Sequence, residues 1–235
     1  MKSTIYKPLF ASVLLLAALA CGDDDNQNNN LNYGTVSDSE GNTYKTIAIG
    51  TQEWMAENLR STKFSNGDPI PHIPDIISWE DLESPGYCVY DNDPSMDAVY
   101  GKLYNMHAMI DQRNPCPSGW HVPTDEDWLT LRTFLDTENT DNLNKAGGKM
   151  KTKGTEHWKS PNTGASNQSG YSALAAGVRT WTGQFADKTH FGYFWSSTAD
   201  GPSSGFGYHL EYNSERLIRM GFNGKNGFSC RCVKD

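Results

Sequence analysis

Cysteine placement constrains this chain more than any other feature. Cys21 stands directly after a short apolar run, and four further cysteines, Cys88, Cys116, Cys230 and Cys232, are spread over the rest of the sequence. Lys2 and Lys7 lead into that run, which covers residues 9–20. It falls short of the roughly 20 residues that span a bilayer, and so reads as an export signal. An exported chain folds where disulfides form, so an even set of cysteines predicts bridges. Four cysteines allow three pairings. A bond between Cys230 and Cys232 is the poorest, because their separation along an extended strand suits disulfide geometry badly. The other two pairings both tie Cys88 and Cys116 to the C-terminal strand by bridges that close long loops. A closed loop of 100 residues contributes about 4.7 kcal/mol by chain entropy.

Small residues, Ala18-Leu19-Ala20, precede Cys21. This resembles a bacterial lipobox, which implies cleavage after residue 20 and lipidation of Cys21. Each buried CH₂ contributes about 0.8 kcal/mol, and the two or three acyl chains of such an anchor hold a protein on a membrane. Residues 1–20 are then a lipoprotein signal peptide, 21–33 a flexible tether and 34–235 the folded domain. Gly22-Asp23-Asp24-Asp25 and the Asn-rich stretch that follows offer nothing to bury. The acidic run resembles a surface-export signal of Bacteroidetes-like bacteria, and the expected location is the outer membrane, exposed at the cell surface. Net charge is −8, and loss of Lys2 and Lys7 makes the mature chain more acidic still. That argues against nucleic acid as a partner.

Residues 43–49 alternate and carry β-branched side chains, which predicts a strand, with a second over 53–59 to close a hairpin. A helix is expected over 103–110 and another piece over 140–150. Thr124 followed by Asp127 reads as a capping box, with Trp128, Leu129, Leu131, Phe134 and Leu135 as the apolar face of the helix it starts. Beyond residue 160 the chain turns rich in Gly, Ser, Asn and aromatics, with short strands expected over 192–196, 207–212, 217–222 and 228–233. Helices followed by many short strands give an α+β class.

Seven segments, in order, carry a resemblance. They are residues 38–44, then Ile49-Gly50-Thr51-Gln52-Glu53-Trp54-Met55-Ala56-Glu57-Asn58-Leu59, then 100–105, Cys116-Pro117-Ser118-Gly119-Trp120-His121-Val122-Pro123-Thr124 with Trp128, 146–149, Trp195-Ser196-Ser197-Thr198, and Asn226-Gly227-Phe228-Ser229-Cys230-Arg231-Cys232-Val233. Together they resemble the Fibrobacter succinogenes major paralogous domain, found in surface lipoproteins, over residues 34–235. That family is similar to C-type lectin-like domains and to the formylglycine-generating enzyme fold. The resemblance implies two or three short helices, short antiparallel strands, a large loop region and a disulfide staple. It implies pairing of Cys116 with Cys232. Cys230 departs from the family pattern, where an apolar residue is expected, and leaves Cys88 with Cys230 as the second bridge.

Candidate chemistry is sparse. Asp91, Asp93 and Asp97 alternate as in an EF-hand loop, but Met96 stands in the glycine place and Lys102 in that of the bidentate Glu. Residues 91–97 are thus either an irregular calcium site or an Asx-rich turn. No other cofactor is implied. The six histidines show no zinc-ligand spacing, and phosphate-loop motifs are absent from the sequence. The chain therefore reads as non-enzymatic. Trp158, Trp181 and Phe185 lie among Gly, Asn and Thr and are candidate ligand-binding aromatics, for a glycan or a protein. The same residues could equally be buried anchors of the loops. The expected function is a lipid-anchored binding module; an exported enzyme of the formylglycine-generating kind and a structural envelope component are the alternatives.

Overall fold

In the computed structural model, the described residues are Met1, 31–137 and 143–235. Strands β1 (Tyr33–Ser37), β2 (Thr43–Ile49) and β3 (Gln52–Met55) open the fold, and β4 (Tyr87–Cys88), β5 (Leu103–Tyr104) and β6 (Trp120–His121) are two-residue pairings further on. Helices α1 (Ile76–Glu80), α2 (Asp97–Tyr100) and α3 (Met106–Met109) are single turns. The longest is α4 (Asp125–Leu135), followed by the short α5 (Ala146–Met150). The C-terminal part holds β7 (Val178–Arg179), β8 (Phe185–Ala186), β9 (Phe191–Ala199), β10 (Ser204–Glu211), β11 (Ile218–Asn223) and β12 (Val233–Lys234). The main sheet runs β1-β2-β3-β12-β6, and β11-β10-β9 form a second, antiparallel sheet. The class is α+β.

Turn chemistry explains the opening hairpin. Asp38 Oδ1 accepts from the backbone N–H groups of Glu40 and Asn42, and Oδ2 accepts from the Tyr44 hydroxyl at 2.7 Å. Gly41 supplies the left-handed residue, at φ 85°. Folded structure starts ahead of residue 34: Leu31 and Tyr33 pack on the core, and the Tyr33 hydroxyl donates to Gly170 O. Cys21 and residues 21–30 of the expected tether lie outside the described residues.

The capping box of α4 is present in both directions, Thr124 Oγ1 accepting from Asp127 N and Asp127 Oδ2 from Thr124 N at 2.9 Å. Its buried face is Trp128, Leu131, Arg132 and Leu135, while Leu129 and Phe134 are exposed. The expected face was too broad: Leu129 and Phe134 fall outside the stripe that Trp128, Leu131 and Leu135 turn to the core. Phe134 covers the β2–β3 turn instead, where Gly50 has φ 63° and an added Cβ would meet the Phe134 ring at 2.8 Å. Replacing Thr124 with alanine should cost about 1 kcal/mol, read as a fall of about 2–4 °C in thermal midpoint.

Two other expectations are corrected. Residues 103–110 are not one helix: Asn105 accepts from both Ala108 N and Gly86 N, so it starts α3 and ends β5. The strand expected over 228–233 narrows to β12, because Phe228 and Ser229 each make one isolated bridge, to Tyr104 and Phe194. Leu59 N then reaches Cys230 O and Met55 N reaches Cys232 O. This terminal segment is the seam between the sheets.

The loop-rich half is held by buried cations. Lys151 Nζ donates to the carbonyls of Thr163, Glu211 and Ser214 at 2.8–2.9 Å, and burial pushes its pKa down to about 8. Arg179 reaches four carbonyls, those of Ile73, Pro74, Asp75 and Gly183. Arg231 bonds Asn58 Oδ1 and the carbonyls of Tyr171 and Ser172. Irregular backbone has no ladder to satisfy its carbonyls, and these side chains do so from inside.

Candidate recognition face

The cysteines sort into one bond and two thiols. Cys116 and Cys232 are bonded, with Cα atoms 5.9 Å apart. Cys88 and Cys230 are free, so the second expected bridge is not formed. Its physical reason is location: Cys88 packs with Trp79, Tyr90 and Leu103, whereas Cys230 packs with Cys116, Trp120 and Phe228 in another cluster. The sulfurs of Cys116, Cys230 and Cys232 lie within 4.8 Å of one another. Burial pushes the Cys88 thiol up to about 12 and raises that of Cys230 further, so neither offers a thiolate near neutral pH.

Residues 91–97, the candidate calcium loop, are built from short local turns. Asp91 and Asn92 adopt left-handed backbone, at φ 54° and 53°. Asp93 accepts from Ser95 N at 2.9 Å, and Asp97 pairs with Lys102 at 2.6 Å. Asp93 and Asp97 are engaged locally, and among the described residues the three carboxylates do not gather as one ligand set. An Asx-rich turn is what the alternation encodes.

The three candidate aromatics part company. Trp158 is wholly buried, its Nε1–H donating to Ala173 O at 3.0 Å and its ring lying under Lys151 Nζ. It is a loop anchor and not a ligand-binding residue. Phe185 is half-buried in β8, against the Tyr90 ring and the Arg179 guanidinium, which takes most of its faces out of play. Trp181 remains 49% exposed.

Trp181 sits on a tight turn that is braced from below. Thr180 N donates to Gln184 O at 2.7 Å, Gly183 N to Thr180 O at 2.8 Å, and Trp181 N to Asn226 Oδ1 at 2.8 Å. Gly183 has φ 80° and lies against α1, where an added Cβ would come within 2.7 Å of Ile76 O. Arg179 joins the two elements, bonding carbonyls from residues 73–75 on one side and Gly183 O on the other. Ile76 and Ile77, the latter 69% exposed, put apolar surface on the neighbouring helix. Thr182 and Gln184 flank the ring in sequence with hydrogen-bonding side chains. The result is a flat aromatic group on rigid backbone, with polar neighbours and some apolar surface.

Sequence reasoning missed Ile76, Ile77 and Asn226 as parts of this face. The isoleucines are an adjacent apolar pair directly after the Asp75 cap of α1. Asn226 gives no local signal, since its role is set by a partner 45 residues away.

Comparison with known proteins yields one match. The model of the Fibrobacter succinogenes major domain matches residues 47–234. No curated protein and no solved structure matches the sequence. Among the described residues, no helix is long and apolar enough to cross a membrane.

Proposed function

The chain belongs to the Fibrobacter succinogenes major domain family, and we propose that it is a lipid-anchored cell-surface module that binds a glycan through the Trp181 face. In this reading Cys21 carries the lipid, the acidic and Asn-rich residues after it hold the domain off an outer membrane, and the domain has a C-type lectin-like arrangement. The disulfide between the segment leading into α4 and the C-terminal strand supports that arrangement.

The observation that carries the ligand class is Trp181 itself. Half-exposed indole on a braced turn stacks on a sugar face at little entropic cost, and Thr182, Gln184 and Asn226 can serve sugar hydroxyls. An exported enzyme of the formylglycine-generating kind needs reactive cysteines. Here Cys232 is bonded and both free thiols are buried with raised pKa values, which weighs against it.

A glycan array probed with the full chain tests the reading. Retention on a related subset of glycans is expected. Retention on none would remove the sugar and leave a protein as the ligand of this face.

A further inference from the structure

A second concave site shares no residue with the Trp181 face. It is a half-open cleft of about 250 Å³ between the end of the β2–β3 hairpin, α2 and the loops over residues 152–174. Its lining runs against the charge of the chain. The protein carries −8, yet the cleft collects Lys45, Arg60 and Arg231 with a single carboxylate, Glu57.

Arg231 is the buried member, at 1% exposed. Its hydrogen bonds go to neutral acceptors, Asn58 Oδ1 at 2.7 Å, Tyr171 O, and Ser172 O at 2.8 Å. A guanidinium has five N–H donors, so two are left over. These hydrogen-bond partners carry no charge; the Tyr171 ring faces the guanidinium at 4.5 Å, and Glu57 is the single carboxylate that offsets the three cations of the cleft. Lys151 and Arg179 are also bonded to carbonyls, but neither lines this cleft. Arg60 is held ready at the side by Thr43 O at 2.9 Å and by the Tyr44 ring, 4.6 Å from its guanidinium. Lys45 is exposed, its backbone N–H fixing Glu57 at 2.6 Å.

Size and polarity narrow the ligand. The volume lies below the range of roughly 300–1,000 Å³ typical of pockets for drug-sized molecules. Glu57 disfavours a dianion and offers an acceptor to hydroxyl groups, as does Thr152, while Tyr33 and Leu174 add ring-sized apolar surface. We propose that this cleft binds a small sugar acid with one carboxylate, of the size of a uronic acid, its carboxylate set among Arg231, Arg60 and Lys45.

Titration calorimetry on the full chain tests this, with sodium glucuronate as probe and glucose and inorganic phosphate as comparisons. Glucuronate should bind saturably and glucose at least about tenfold more weakly, the loss of one charge-assisted pair. Arg60→Gln and Lys45→Gln should each weaken glucuronate by about tenfold. Both side chains reach solvent, so the thermal midpoint should hold, which keeps the test clear of the fold. Absence of glucuronate binding, equal binding of glucose, or indifference to both substitutions overturns the proposal. Phosphate binding as tight as glucuronate overturns the sugar acid and leaves a general anion site.

Discussion

Replacing Cys116 with serine should cost the folded domain about 3–5 kcal/mol. The Cys116–Cys232 bond spans 116 residues, and cross-linking a loop of that length removes a large part of the conformational freedom of the unfolded chain. The bond also fixes the seam between the sheets, since Met55 N bonds the carbonyl of Cys232 itself. Cys232→Ser should behave differently. Cys230 sits two residues away with its sulfur within 4.8 Å of both bonded sulfurs, so it can pair with Cys116 when Cys232 is gone. Urea unfolding under oxidising conditions should rank wild type above Cys232→Ser and that above Cys116→Ser, and peptide mapping of Cys232→Ser should recover a Cys116–Cys230 link. A Cys116→Ser midpoint equal to that of the wild type would contradict the account of the staple.

Arg179→Met is the other large effect. The guanidinium is wholly buried, lies 4.6 Å over the Trp79 ring, and donates to carbonyls of Ile73, Pro74, Asp75 and Gly183. Methionine keeps the apolar stem and removes every one of those donors. Each carbonyl left dry costs about 1–3 kcal/mol, so with two of the four left dry and the others reached by solvent the loss is about 2–6 kcal/mol. Lysine at this position should fall between, because an ammonium cannot fork to partners on both sides. The loss should be local first: the turn that carries Trp181 is tied to α1 through Arg179, so indole emission should shift before global unfolding. Denaturant titration followed by both circular dichroism and tryptophan emission reads the two events. Coincident, unshifted transitions with stability equal to the wild type would mean that the arginine holds nothing.

Local chemistry in the sequence was legible and non-local placement was not. Thr124 and Asp127 announce α4 because a capping box is written in residues three apart. Asp38 to Asn42 announce the first turn for the same reason. Cysteine parity, in contrast, counts residues and says nothing of distance: once the family resemblance pairs Cys116 with Cys232 it expects a second bond between Cys88 and Cys230, although they belong to separate clusters. Pairing of Cys116 with Cys232, implied by family resemblance, is the bond present. Alternating aspartates at 91, 93 and 97 look like ligands in one dimension, but left-handed backbone at Asp91 and Asn92 and the Lys102 pair draw them apart. Trp158 and Trp181 have similar neighbours in sequence and opposite fates. One finds Ala173 O for its indole N–H in the interior, and the other has its backbone held at the surface by Asn226.

Everything proposed about recognition comes back to that second tryptophan. The most direct measurement is the affinity of Trp181→Ala for the glycan retained most strongly on the array, taken beside its thermal midpoint. Trp181 bears little of the core, so the midpoint should stay with the wild type, while loss of an aromatic stacking anchor should weaken binding by at least about tenfold. Undiminished binding by a folded Trp181→Ala chain would contradict the account.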